Sequence, residues 1–275
     1  MLTEWWGNLR VVAAVVWQRA LTFRRYPANF WSSLVTPFFS LATAVFLARA
    51  FTVEGAALGF ERGTGTADYH GFLLFSTLLW IYIDSQLYLG FALEREMRRG
   101  TLQGLFLAPV PRWCYLAGHS LYQLLRASLD GAATLLLGLL VFGVDVERNW
   151  LLVAAVFGLN LLVVWGYGIV LAAAVLVFRS GAFTYVWSTL LPLLAGETFS
   201  ISVLPPLLQV LGRLIPLTYG LDLLRWAACG SRTFMPVDGQ VAILVVSAVL
   251  LPALGLACFH RLEQVARRRG TLGQF

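Results

Sequence analysis

Residues 150–178, WLLVAAVFGLNLLVVWGYGIVLAAAVLVF, contain no Asp, Glu, Lys or Arg. No other feature of the chain constrains the fold as strongly. A helix rises about 1.5 Å per residue, so about 20 apolar residues cross a hydrocarbon layer roughly 30 Å thick. A helix that is apolar on every face belongs in lipid or at the centre of a large core. Five further apolar runs accompany this one, at about 30–52, 70–93, 114–142, 182–203 and 239–259. Only 12% of the residues are charged, against about 25% in soluble domains, so a soluble core is excluded. The expected fold is an all-α membrane protein with six transmembrane helices, forming a single transmembrane domain over residues 1–275. Aromatic residues near the run ends, among them Trp31, Tyr69, Trp113, Tyr115 and Trp150, suit rings anchored at headgroup level.

All 20 basic residues are arginine. A phosphate-cradling P-loop requires a lysine, so this chain cannot hold and hydrolyse ATP in that way. The net charge of +6 comes from arginines lying mostly between apolar runs. No basic face of a soluble domain is available to nucleic acid. Cys114, Cys229 and Cys258 share no metal-ligand spacing, so neither a disulfide framework nor a metal site is indicated. MLTEWWGNLR lacks a basic lead-in, and the following apolar run is interrupted by Arg19. A cleaved signal peptide is not expected.

Arginine distribution sets an orientation. Arg10, Arg19, Arg24 and Arg25 precede the first span, Arg95, Arg98, Arg99 and Arg112 follow the second, Arg179 follows the fourth, and Arg261, Arg267, Arg268 and Arg269 follow the sixth. The opposite side holds Arg49, Arg62, Arg148, Arg213, Arg225 and Arg232. The bias places both termini in the cytoplasm. Residues 1–29 then form an interfacial helix, with Trp5, Leu9, Val12, Val16 and Phe23 on one side and Arg10, Gln18, Thr22 and Arg25 largely on another. Residues 204–230 are apolar but interrupted by Pro216 and several glycines, and the pieces are too short to span. They are expected to form a re-entrant helical hairpin on the extracellular side, between spans 5 and 6. Residues 260–275 form a cytoplasmic tail.

Within the expected membrane spans, Asp84 in span 2 and Arg126 with Asp130 in span 3 are the conspicuous charges. Such groups are costly in lipid and face a bundle interior, a wet cavity or each other. Their distances from the same boundary place Asp84 and Arg126 at about 15 and 20 Å. An Asp84–Arg126 pair is expected, with Asp130 one turn beyond Arg126 on the same face. The cluster reads either as a clamp between spans 2 and 3 or as part of a translocation route.

Residues 94–112 join a charged cluster, EREMRR, to an apolar edge made of Leu102, Leu105 and Phe106, and Pro109 and Pro111 stop any helix there. A helix braced beneath two spans and a headgroup-facing linker both satisfy that pattern. ERE at 94–96, GTL at 100–102 and Pro109 resemble the cytoplasmic loop of type-2 ABC exporter permeases. LPPLLQVLGRLIPLTYGLDLLR at 204–225 resembles the family's extracellular hairpin, and the tail RRRGTLGQF its ending. RRGTL occurs at 98–102 and again at 268–272, which is either coincidence or two segments meeting one partner surface.

The resemblance covers essentially the whole chain. It implies a non-catalytic permease with no cofactor of its own, in which a second permease copy, identical or paralogous, joins two copies of an ABC ATPase subunit that bind ATP and Mg. The coupling helix would run from Glu94 to Leu107, with Glu94, Glu96 and Arg98 at its charged end, the Gly100–Thr101 turn, and Leu102 and Leu105 entering the ATPase. Glu197, Pro205, Pro216 and Tyr219 would form an extracellular gate; Glu197 reads equally as a solvated end residue. The expected function is export of an amphipathic drug-like or lipid-like substrate across the cytoplasmic (inner) membrane, with a lipid-linked polysaccharide as the alternative.

A stand-alone ion-coupled transporter would use Asp84, Arg126 and Asp130, but no inverted repeat of broken spans is evident. A membrane enzyme would need converging catalytic groups, whereas His70, His119 and His260 lie near different span ends.

Overall fold

A computed structural model of the chain describes residues 2–50, 58–100, 111–142, 150–178 and 180–268. Among these there is no strand. The helices are α1 Leu2–Arg25, α2 Pro27–Ala50, α3 Leu58–Thr64, α4 Tyr69–Arg98, α5 Arg112–Phe142, α6 Trp150–Phe178, α7 Ala182–Ala195, α8 Pro206–Arg213, α9 Pro216–Cys229 and α10 Val237–Arg268. A three-residue 3-10 turn, Ile201–Val203, lies between α7 and α8.

By length and composition four of the described helices can cross a membrane, namely α4, α5, α6 and α10, and five can if the bent pair α8 and α9 counts as one. The uncharged helix α6 is the centre of the packing, between α4, α9 and α10. Its Val163, Val164 and Leu171 meet Leu79 and Leu87 of α4, Leu223 and Leu224 of α9 and Leu244 of α10 in one buried cluster. A Cβ on Gly166 would collide with the Pro252 ring of α10. The missing side chain lets two helices without polar partners approach closely, as small residues do in membrane helix pairs.

The first expected difference concerns span 5. Instead of a helix over 182–203, α7 stops at Ala195 and so extends about 21 Å. Gly196 adopts φ 70°, and the Glu197 amide turns back to donate to the Pro192 carbonyl at 2.9 Å. This left-handed cap ends the helix where a residue with a Cβ would resist the turn.

The hairpin is built as two short helices, α8 and α9, bent by 93°. Pro216 opens α9. Across the bend, Thr218 Oγ1 donates to the Gly212 carbonyl and Tyr219 Oη to the Arg213 carbonyl, both at 2.7 Å. The two arms differ. In α8, Leu207, Val210 and Leu211 are exposed, whereas Leu217, Leu221, Leu224 and Ala227 of α9 are fully buried against α4, α6 and α10.

The N-terminal helix exists with close to the expected bounds, yet it packs lengthwise on α5. A Cβ at Gly118 would press on Val12 and Val15, and eight residues further along α5 the Arg126 guanidinium lies over the Phe23 ring. Arg19 belongs to the packed side, where it donates to Glu96 at 3.2 Å and to Tyr115 Oη at 3.3 Å.

The helix α4 continues beyond residue 93 through Glu94–Arg98. Glu94 accepts from Arg98 one turn on, at 3.0 and 2.8 Å, and Gly100 at φ 69° ends the segment. The expected coupling helix therefore opens as the last turn of α4. Thr101, Leu102, Leu105 and Pro109 lie outside the described residues, as does the repeat of RRGTL in the tail beyond Arg268.

Candidate functional site

Helical spacing builds a polar, open-sided cavity at mid-length of α4 and α5, away from the central helix α6. On α4, Ile81, Asp84, Ser85 and Tyr88 share one face, and on α5 Gln123, Arg126, Ala127 and Asp130 do. Ser32 and Thr36, one turn apart on α2, close the third side. The cavity measures about 240 Å³. Asp84 is about 22 Å from the start of α4 and Arg126 about 21 Å from the start of α5, each near its helix midpoint.

The three expected charges are thus brought together, but their pairing differs from the expected one. Arg126 Nε lies 3.9 Å from Asp130 Oδ2, one turn along the same helix. No ion pair joins Arg126 to Asp84 among the described residues. The i,i+4 geometry explains the outcome, because Asp130 reaches Arg126 without crossing between helices. Asp84 instead opens onto the cavity as an exposed side chain. Ser32 and Thr36 were not anticipated, although their four-residue spacing was a readable signal.

A second charged cluster lies towards the other end of α4. Arg225 of α9 is 3% exposed. Its Nε donates to Ser76 Oγ at 2.6 Å, and its terminal nitrogens donate to the carbonyls of Gly196 at 2.7 Å, Phe199 at 3.5 Å and Glu197. The guanidinium also stacks 3.9 Å from the Phe72 ring centroid. Arg225, counted from the sequence only among the arginines of the extracellular side, is a buried strut tying the turn after α7 to α4. One turn away on α9, Asp222 Oδ2 accepts from Gln240 Nε2 at 2.7 Å and from the Phe234 amide at 3.1 Å. That contact fixes the entry of α10.

The other candidates distribute as follows. Glu197 is half-buried, and its carbonyl belongs to the Arg225 cluster. Pro205 is exposed before α8, and Pro216 and Tyr219 shape the bend. Glu94 pairs with Arg98 and occupies the space that a Cβ on Gly181 would need, at the start of α7. Glu96 pairs with Arg19 of α1. Both acids therefore brace this chain's own helices, while Arg95, Arg98 and Arg99 remain exposed. Uncharged polar links complete the packing: Gln86 Nε2 reaches the Ser120 carbonyl at 3.4 Å and Ser120 Oγ donates to Gln86 Oε1, while Asn160 Nδ2 donates to the Gly220 carbonyl at 3.2 Å. These links hold α4 to α5 and α6 to α9.

Long apolar helices packed around polar crosslinks, with a charged cavity at mid-length and a helical pair bent by 93°, define a multi-pass α-helical membrane protein. More particularly, the chain belongs to the ABC-2 type transporter family, which it matches over residues 10–228. It is the membrane component of an ABC transporter, a class that associates with an ABC ATPase subunit. No curated protein matches the chain.

Proposed function

We propose that this chain is the permease subunit of an exporter that moves an amphipathic, drug-like or lipid-like molecule outward across the cytoplasmic membrane. The observation that carries this reading is the cavity at mid-length of α4 and α5, which sets Asp84, Arg126 and Asp130 among otherwise apolar helices. Polar sites at that depth mark pathways. Six spans result if α2 and α7 are counted with α4, α5, α6 and α10, and both termini then face the cytoplasm. The exposed apolar residues of α7 and α8, such as Val186, Leu190, Leu207 and Leu211, favour a second permease copy or lipid on that side. Energy comes from two ATPase copies docked at the segment after Gly100, where Leu102 and Leu105 supply apolar contacts and the arginines at 95–99 supply partner choice.

Purification of the tagged chain from its native membranes in mild detergent tests the assignment. A stoichiometric soluble subunit with a Gly-Lys-Ser/Thr P-loop is expected, and it should be lost when Leu102→Asp and Leu105→Asp are combined. Retention of the ATPase by that double variant would overturn the docking segment, and ATP-driven movement of cargo towards the side that holds the ATPase would overturn the direction.

A further inference from the structure

The mid-depth cavity is unbalanced in charge and in hydrogen bonding. It holds two carboxylates and one guanidinium. Arg126 is already engaged by Asp130 at 3.9 Å and by the Phe23 ring at 5.2 Å. Asp84 has neither a hydrogen bond nor an ion pair among the described residues, and it faces the open cavity beside Ser85 and Thr36. A carboxylate at this depth whose cationic neighbour across the cavity, Arg126, lies beyond ion-pair distance and is shared with Asp130 calls for a further counter-charge.

From this geometry we infer that the cavity between α2, α4 and α5 is the seat for a protonated amine headgroup of an amphipathic substrate, with Asp84 as its counter-ion. The inference rests on the transport function proposed above and names the substrate class within it. Size supports it. About 240 Å³ is less than the roughly 300–1,000 Å³ of pockets that enclose a whole drug-sized molecule. The cavity therefore takes a headgroup, and the remainder of the ligand lies outside it, against apolar helix faces or lipid.

Hydrogen-bond inventory narrows the headgroup. A primary ammonium carries three donors; the Asp84 carboxylate and the Thr36 hydroxyl line the cavity as acceptors, and Ser85 Oγ, which donates to the Tyr82 carbonyl at 2.7 Å and accepts from Gln86 Nε2 at 3.4 Å, keeps one further lone pair. A quaternary ammonium has the charge without the donors. An anionic headgroup would have to displace Asp130 from Arg126 while lying next to the Asp84 carboxylate. The sign of the site and its acceptors both favour the amine.

The test uses the full chain in phosphatidylcholine nanodiscs, without ATP and without the ATPase. Binding of radiolabelled decylamine is measured, with decyltrimethylammonium, decyl sulfate and decanol as competitors. Unlabelled decylamine should compete best and decyltrimethylammonium about tenfold less well, since a hydrogen bond to a charged group is worth a factor of that order. Decyl sulfate and decanol should not compete. Asp84→Asn should weaken decylamine binding about tenfold or more.

Equal binding by Asp84→Asn and the native chain would overturn the proposal. So would competition by decyl sulfate as strong as that by decylamine, which would assign an anionic headgroup to Arg126. Should Asp84→Asn fail to fold, the competitor series on the native chain decides alone. Because ATPase association is measured separately, loss of amine binding and loss of the transporter assignment give different results.

Discussion

Arg225 and Arg126 are both arginines enclosed by mainly apolar helices, and their surroundings follow opposite rules. Arg225 is 3% exposed, with backbone carbonyls, a serine hydroxyl and an aromatic face around its guanidinium. The side chain of Arg126 is 34% exposed; its Nε makes no hydrogen bond, and its one acidic partner stands 3.9 Å away. A buried charge with each of its nitrogens hydrogen-bonded stabilises one arrangement, because any rearrangement leaves polar groups bare. A charge left partly unmet beside a cavity keeps its capacity to interact with something else. The contrast separates a structural cluster at one end of α4 from the cluster near its middle that is proposed to bind substrate.

The sharpest way to break this contrast is to remove Arg225. Arg225→Ala would strand the carbonyls of Gly196 and Phe199 in a dry environment and should cost on the order of 4 kcal/mol. Arg225→Lys keeps the charge but not the planar fork that reaches several acceptors, and should recover only part of that loss. Thermal and denaturant unfolding in nanodiscs reads both. A loss of less than about 1 kcal/mol for Arg225→Ala would make this cluster no more structural than a surface ion pair.

How far the two clusters were legible in the sequence follows from what holds each together. The inner one is written in side chains: Asp84, Arg126 and Asp130 are charges inside apolar runs, and their helical spacing puts them on facing surfaces. The pairing was less legible, because depth along two helices does not reveal that Asp130, four residues from Arg126, is the nearer partner. The outer cluster is written largely in backbone. Three of the acceptors of Arg225 are carbonyls in the turn at 196–199, and that turn exists because Gly196 ends α7 early. Carbonyls leave no mark in a sequence, so Arg225 looks like one more loop charge. The same limit applies to Glu94 and Glu96. Their charge was visible, but their engagement by Arg98 and Arg19 depends on how α1 and α4 meet.

An intermediate effect sharpens the comparison from the other side. Asp84→Asn removes a carboxylate that lacks a partner, so stability should stay unchanged or rise by up to about 1 kcal/mol. Asp130→Asn instead deprives Arg126 of its neighbour and should lower stability by about 1 kcal/mol, a modest figure because the pair is long, at 3.9 Å, and the Arg126 side chain is partly solvated. Opposite signs for two aspartates lining one cavity are what a binding cluster predicts. Equal losses would mean that Asp84 is as structurally engaged as Asp130.

The smallest effect belongs to a third setting, the helix ends where water is near. Arg19 and Glu96 pair at 3.2 Å with side chains 28% and 18% exposed, and Arg19 also donates to Tyr115. Solvent screens such a pair, so a double-mutant cycle with Arg19→Gln and Glu96→Gln should give a coupling of at most about 1 kcal/mol. Raising the salt from 0.05 to about 0.5 M should reduce it further, since the screening length falls below about 5 Å. A coupling well above that, insensitive to salt, would mean that the end of α1 is as dry as the Arg225 cluster. The docking of α1 along α5 would then be fixed by charge, and the close approach at Gly118 would be its consequence.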